Sequence, residues 1–215
     1  MHLKSPIHLV CLDVGGVLVR ICSGWEEACR IANVELRPEV SDAAVLKQVV
    51  EVAHRLEHGQ IDEETFDQDV GALVGLPPER IAAAAEAWLV EVYPGALELV
   101  DWLNGLPGIR AACLSNTTTR HWRMMTTPGQ TYAGLERLPH QFLSFEIGHM
   151  KPSGEIFQHV EQVTGRRPNQ ILFFDDSKAN VDGAKACGWH AELIDPKDDP
   201  PGQVRHALRR YGIGA

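Results

Sequence analysis

Four apolar runs of strand length, each closed by polar or glycine residues, constrain this chain most: residues 7–12, 109–114, 171–174 and 191–194. A weaker fifth covers residues 142–145. Short continuous apolar runs suit strands that are buried on both faces. The stretches between them read as helices. Ser153 stands where a helix would be capped, Ile156, Phe157, Val160 and Val163 follow at helical spacing, and Gly165 stops the run. Leu99, Val100 and Leu103 mark a second helix, and residues 178–186 a third, stopped by Gly188. Strands alternating with helices predict an α/β fold, a parallel sheet flanked by helices on both faces.

The connection after the first strand is too long for that pattern alone. A crossover needs only about a dozen residues, yet residues 21–93 intervene before the core pattern resumes. Helical periodicity fills them at 25–32, 43–56, 63–74 and 79–90, and Pro77-Pro78 suits a helix start. The expected organisation is a core domain of residues 1–20 and 94–215 with a small helical cap, residues 21–93, inserted after the first strand.

Charge and cysteine usage narrow the function. A formal net charge of −9 argues against nucleic acid or an anionic membrane surface as partner, since both reward a basic face. No run approaches the roughly 20 apolar residues that span a bilayer. The run at 7–12 leads into an aspartate rather than a small-residue cleavage site, so it does not read as a signal peptide. Cys11, Cys22, Cys29, Cys113 and Cys187 are odd in number and lack metal-site spacing. They are expected to be reduced thiols in a cytoplasmic protein. Nothing in the sequence fixes an oligomeric state.

Where polar residues fall is the chemical clue. Asp13 follows the first run, Ser115-Asn116 the second, and Asp175-Asp176 the third, while Lys151-Pro152 lies just past the weaker strand. Parallel sheets bind ligands beyond the carboxyl ends of their strands. Three runs would thus deliver a carboxylate, a hydroxyl-amide pair and two adjacent carboxylates to one edge, with a cation at its rim. Each feature alone has a plain reading as a helix cap, a turn or a solvated lysine. The ten histidines show neither HExxH nor a tight cluster with cysteine, and Gly15-Gly16 suits a tight flap turn rather than a dinucleotide fingerprint.

Leu12-Asp13-Val14-Gly15-Gly16-Val17-Leu18 resembles the first motif of the haloacid-dehalogenase-like superfamily. Leu114-Ser115-Asn116-Thr117 is similar to its second motif, Met150-Lys151-Pro152 to its third, and Phe173-Phe174-Asp175-Asp176-Ser177 to its fourth, in the family's order. His121-Trp122, Asn180, Gly183 and Ala184, with Gly59-Gln60-Ile61-Asp62 and Phe66 in the insert, resemble the branch of bacterial sugar-phosphate phosphatases. That branch includes α-D-glucose-1-phosphate phosphatase and the N-terminal phosphatase domain of soluble epoxide hydrolase.

The resemblance implies a Rossmannoid core with a helical cap and a Mg2+-dependent phosphatase of a small phosphate ester. Asp13 would be the nucleophile. Asp13, the Gly15 carbonyl and Asp176 would hold the metal, with Asp175 as a further or water-bridged ligand. Ser115 and the Asn116 backbone N–H would bind phosphate oxygens, and Lys151 would neutralise charge on both Asp13 and the transferring group. One departure matters: the aspartate that commonly stands two residues after the nucleophile, as general acid, is here Gly15. The implied alternatives are a 2-haloacid dehalogenase, which needs no metal, and a phosphate-metabolite binding protein with little turnover.

Overall fold

The apolar runs pair as parallel strands. In a computed structural model, which describes residues 7–35 and 43–214, β1 (Leu9–Leu12), β4 (Arg110–Ser115), β5 (His140–Leu143), β6 (Ile171–Asp175) and β7 (His190–Leu193) form one sheet. Its order is β5-β4-β1-β6-β7, with every neighbouring pair parallel. The expected domain spans include residues 1–6, 36–42 and 215, which lie outside the described residues.

Period-two alternation sorts the strand residues between two layers of helices. On one face, Val10, Leu12, Ala111, Cys113, Leu172 and Phe174 pack with α5 (Ala96–Asn104), α6 (Thr119–Thr126) and α10 (Pro200–Arg210). On the other, Leu9, Cys11, Ala112, Leu114 and Phe173 meet α8 (Gly154–Thr164) and α9 (Lys178–Ala186). Central strands buried on both sides leave no polar alternation, which is why they read as solid apolar runs.

Between β2 (Val19–Ile21) and β3 (Leu89–Val92) the chain forms α1 (Trp25–Ile31), α2 (Ala43–Glu57), α3 (Glu63–Val74) and α4 (Pro78–Glu86). Val49, Val52 and Leu56 of α2, Phe66, Val70 and Val74 of α3, and Ile81 and Ala85 of α4 form a separate apolar cluster. Asp62 caps α3, its Oδ1 accepting from Thr65 N at 2.8 Å, and Gly75 closes the helix in the left-handed region.

The structure differs from expectation in three places. The helix expected over 79–90 stops at Glu86, and Leu89–Val92 turns back to pair antiparallel with Val19–Ile21. Polar groups of a two-stranded ribbon need each other, and that partner lies about 70 residues away in sequence, beyond any local pattern. The weak fifth strand lies at His140–Leu143, earlier than the expected 142–145, because Ser144–Ile147 coils into a short helix, α7. Ser153 occupies the cap position of α8, but its side chain makes no capping bond. Among the described residues, no helix is long and apolar enough to cross a membrane.

Candidate active site

Strand register carries the sequence-marked residues to one edge. Leu12 pairs with both Cys113 and Phe174, so the chain leaves β1 at Asp13 beside the ends of β4 and β6. The Asp13 N–H still donates to the Phe174 carbonyl at 2.8 Å, which fixes the first residue past the strand. Asp175 ends β6 and is fully buried.

Lys151 joins the two sides. Its Nζ lies 2.8 Å from Asp13 Oδ1 and 2.7 Å from Asp175 Oδ2, with all three side chains nearly out of water. Asp176, half-buried, completes a group in which one oxygen from each of Asp13, Asp175 and Asp176 lies within 4.8 Å of the others. These carboxylates are not equivalent. Asp175 Oδ1 accepts from Ser177 N at 2.8 Å and Asn180 Nδ2 at 3.0 Å, while Oδ2 takes Lys151 and Asn180. Its lone pairs are largely committed to holding the loop. On Asp13, both the Lys151 contact and the 2.7 Å bond from Val14 N fall on Oδ1.

The electrostatics leave this cluster short of positive charge. Burial pushes the Asp13 carboxyl upward; Lys151 pulls it down, and Asp175 and Asp176 push it up again. Asp176 is also raised, by burial first and then by Asp175. Burial alone would lower Lys151, yet Asp13 and Asp175 hold it above the ordinary lysine value, so it stays an ammonium. One ammonium faces three acids. A hard divalent cation with oxygen preference fits that donor set, whereas a soft metal seeking thiolate or imidazole does not.

The loop after β4 seats the backbone of Lys151. Asn116 Nδ2 donates to the Lys151 carbonyl at 3.0 Å, and the Lys151 N–H donates to Asn116 Oδ1 at 2.9 Å. That pair clamps the backbone of the lysine and leaves the Asn116 main chain for other duties. Ser115 is buried at the strand end. Thr117 N donates to Ser144 Oγ at 3.0 Å and ties the same loop to α7.

Two glycines follow Asp13 for different reasons. Gly16 has φ +74°, and a Cβ there would overlap the Asp176 carboxylate. At Gly15 a Cβ would lie 3.1 Å from Ile21 Cδ1, so the direction a side chain would take is filled by an apolar group of β2.

A cavity of about 250 Å³ opens beside this edge, walled by Val14, Gly15, Ser115 and Asn116 below and by helices of the insert above. Its upper and side walls include Glu57, Glu63, Arg120 and His121, none of which stood out in the sequence as a site residue. Arg120 of α6 donates to both oxygens of Asp67 on α3, at 3.1 and 2.6 Å, and Glu63 Oε1 accepts from the Arg120 backbone N–H at 2.6 Å. His121 Nε2 lies 2.8 Å from the Ala85 carbonyl, and burial lowers its pKa, so it stays neutral as a bridge to α4. Gly59, φ +67°, sits where a Cβ would overlap the Phe145 carbonyl, which seats the end of α2 on α7. The one cue the sequence offered for Glu57 is its place in the last turn of a helix, where a negative charge meets the wrong end of the dipole.

The sequence matches the family of haloacid dehalogenase-like hydrolases over residues 7–188. It is 26% identical over 194 residues to a D-ribitol-5-phosphate phosphatase of Bacteroides thetaiotaomicron, covering 88% of this chain and 91% of that protein. A crystal structure of a HAD-family enzyme from the same organism superposes with a TM-score of 0.80 at 24% identity, over 94% of this chain and 100% of that one. A further structure of a HAD-family enzyme from that organism, a complex with magnesium and inorganic phosphate, gives 0.75 at 24% identity, over 90% and 96%. The matched stretch begins ahead of Asp13 and runs past Asp176, taking in every one of these edge residues, and the chain belongs to the haloacid dehalogenase-like hydrolase family.

Proposed function

We propose that the protein is a magnesium-dependent phosphatase that hydrolyses a small phosphorylated metabolite, a sugar phosphate or similar ester, through an aspartyl phosphate on Asp13. The observation that carries this reading is the gathering of Asp13, Asp175 and Asp176 around one point, with a single ammonium, Lys151, among them. The D-ribitol-5-phosphate phosphatase and the magnesium and phosphate complex found among its relatives support it.

Asp13, the Gly15 carbonyl and Asp176 would hold Mg2+, with Asp175 as a further or water-bridged partner. The cation would lower the repulsion between a carboxylate and a phosphate dianion. Asp13 Oδ1 is fixed by Val14 N and Lys151, which leaves Oδ2 as the oxygen to attack phosphorus. Lys151, Ser115 Oγ and the Asn116 N–H would take the non-bridging oxygens and favour the charge that develops on the transferring group. Residues 21–93 are read as a lid that keeps water from the phosphoryl group and large phosphoproteins from the site. A 2-haloacid dehalogenase also attacks through an aspartate, but it has no use for three acids drawn together.

A panel of small phosphate esters, assayed with magnesium and with full chelation beside Asp13→Asn, tests the reading. It expects turnover that needs both magnesium and Asp13. Turnover that survives chelation, or that is unchanged in Asp13→Asn, would remove it.

A further inference from the structure

We propose that Glu57, from the insert, is the general acid and base of the reaction, taking the part that Gly15 leaves vacant. The assignment rests on the phosphatase reading of Asp13 and adds a second catalytic residue to it.

Geometry is the first ground. Glu57 is the last residue of α2, half-buried, and it lines the same cavity as Gly15, Ser115 and Asn116. Gly15 offers no acid two residues after Asp13, and a Cβ there would crowd Ile21 Cδ1 at 3.1 Å. With no acid at Gly15, the wall that the insert supplies is where a proton donor for the leaving oxygen can stand. Glu57 is on that wall, near enough to Lys151 to feel its charge.

Availability is the second ground. The cavity's other ionisable groups are engaged: Glu63 with Arg120, Arg120 with Asp67, and His121 with the Ala85 carbonyl. Among the described residues, none donates a hydrogen bond to Glu57 or pairs with it. A carboxyl facing a cavity without a partner is expensive unless it carries its proton or meets a ligand.

Poise is the third. Burial raises the Glu57 carboxyl to about 7, while the charges of His58 beside it and of Lys151 pull it down. The other charged groups of these elements are Lys47, Glu51, His54 and Arg55 on α2, Glu63, Glu64, Asp67 and Asp69 on α3, and Glu146 on α7. A carboxyl poised near neutrality serves as acid in one half-reaction and base in the next.

The steps balance. As Asp13 Oδ2 bonds to phosphorus, the P–O bond to the leaving group breaks, and the Glu57 proton passes to the departing oxygen. Water then enters and gives a proton to the Glu57 carboxylate as its oxygen bonds to phosphorus. The bond from phosphorus to Asp13 breaks, inorganic phosphate leaves, and the Glu57 acid is restored.

The test compares two leaving groups on the magnesium-loaded enzyme: 4-nitrophenyl phosphate, whose phenolate departs unaided, and the fastest alkyl phosphate of the ester panel. Glu57→Gln should lose roughly 100-fold or more in kcat on the alkyl ester and less than roughly tenfold on the nitrophenyl ester. It should also lose the ionisation near neutrality from the alkyl-ester pH profile, and Glu57→Asp should regain part of the rate. Equal losses on both esters, no loss, or an unchanged pH profile overturn the assignment. A wild-type enzyme without magnesium-dependent turnover of either ester overturns the phosphatase reading itself. Wild-type turnover with no leaving-group discrimination in Glu57→Gln overturns only the role of Glu57.

Discussion

Arg120 and Asp67 form a two-bonded ion pair between core and insert, with 9% and 10% of the respective side chains exposed. The guanidinium fork matches the carboxylate, which fixes the approach of α3 to α6 as well as attracting it. Removing one partner leaves the other charged and buried. Asp67→Ala should therefore cost about 3 kcal/mol, whereas replacing both residues with apolar ones of similar volume should cost much less. Urea denaturation of the single and double variants checks this. Equal losses in both would contradict it.

Gly16 meets two demands at once: a positive φ and contact with Asp176. Gly16→Ala should cost about 1–2 kcal/mol through the left-handed backbone alone. It should also displace the Asp176 carboxylate. Magnesium titration of the activity should then show a half-saturating concentration at least roughly tenfold higher, about 1.4 kcal/mol of lost binding. An unchanged magnesium requirement would detach Asp176 from the metal.

Asn116 acts on Lys151 through the backbone. Asn116→Ala removes both bonds that seat the lysine and leaves a peptide N–H and carbonyl to find other partners, costing about 1–3 kcal/mol of stability. The activity loss should fall mainly on kcat, because Lys151 would still bind phosphate but no longer hold its position against Asp13. Steady-state kinetics on one ester separates the two: a rise in KM with kcat intact would contradict the positioning role.

Glu57 offers a stability measurement that needs no substrate. Its folded-state pKa, about 7, lies above the ordinary value of 4.5, so the folded protein prefers the protonated acid. That contribution is fully present below pH 4.5 and is lost as pH rises through about 7. The shift corresponds to at most about 3 kcal/mol, and water at the cavity mouth reduces it to about 1 kcal/mol. Glu57→Gln should thus match the wild type in acid and exceed it by that amount near pH 8.5. Denaturant midpoints across that range read the difference directly, and parallel curves would refute it.

These residues differ in how far the sequence discloses them. β1, β4 and β6 are buried on both faces, so residues such as Val10-Cys11-Leu12 and Leu172-Phe173-Phe174 show their place by composition alone. Asp13, Ser115 and Asp175 were legible for the same reason, since each marks where an apolar run stops. β3 was hidden because Leu89–Val92 follows an alanine-rich helix without a break, and only its pairing with β2 makes it a strand. α6 and α10 carry few apolar residues, so their helical periodicity is faint. Glu57 was illegible in a deeper sense. Its environment is made by a cavity between elements far apart in the chain, and its place in the last turn of an amphipathic helix does not disclose that.

The central claim, that Asp13 attacks phosphorus beside a bound cation, is tested most directly by trapping beryllium fluoride as an acyl-phosphate mimic. The account predicts a protein-bound fluorine resonance that needs magnesium and is absent from Asp13→Asn. No bound resonance in the wild type, or one that persists after Asp13 is neutralised, would contradict it.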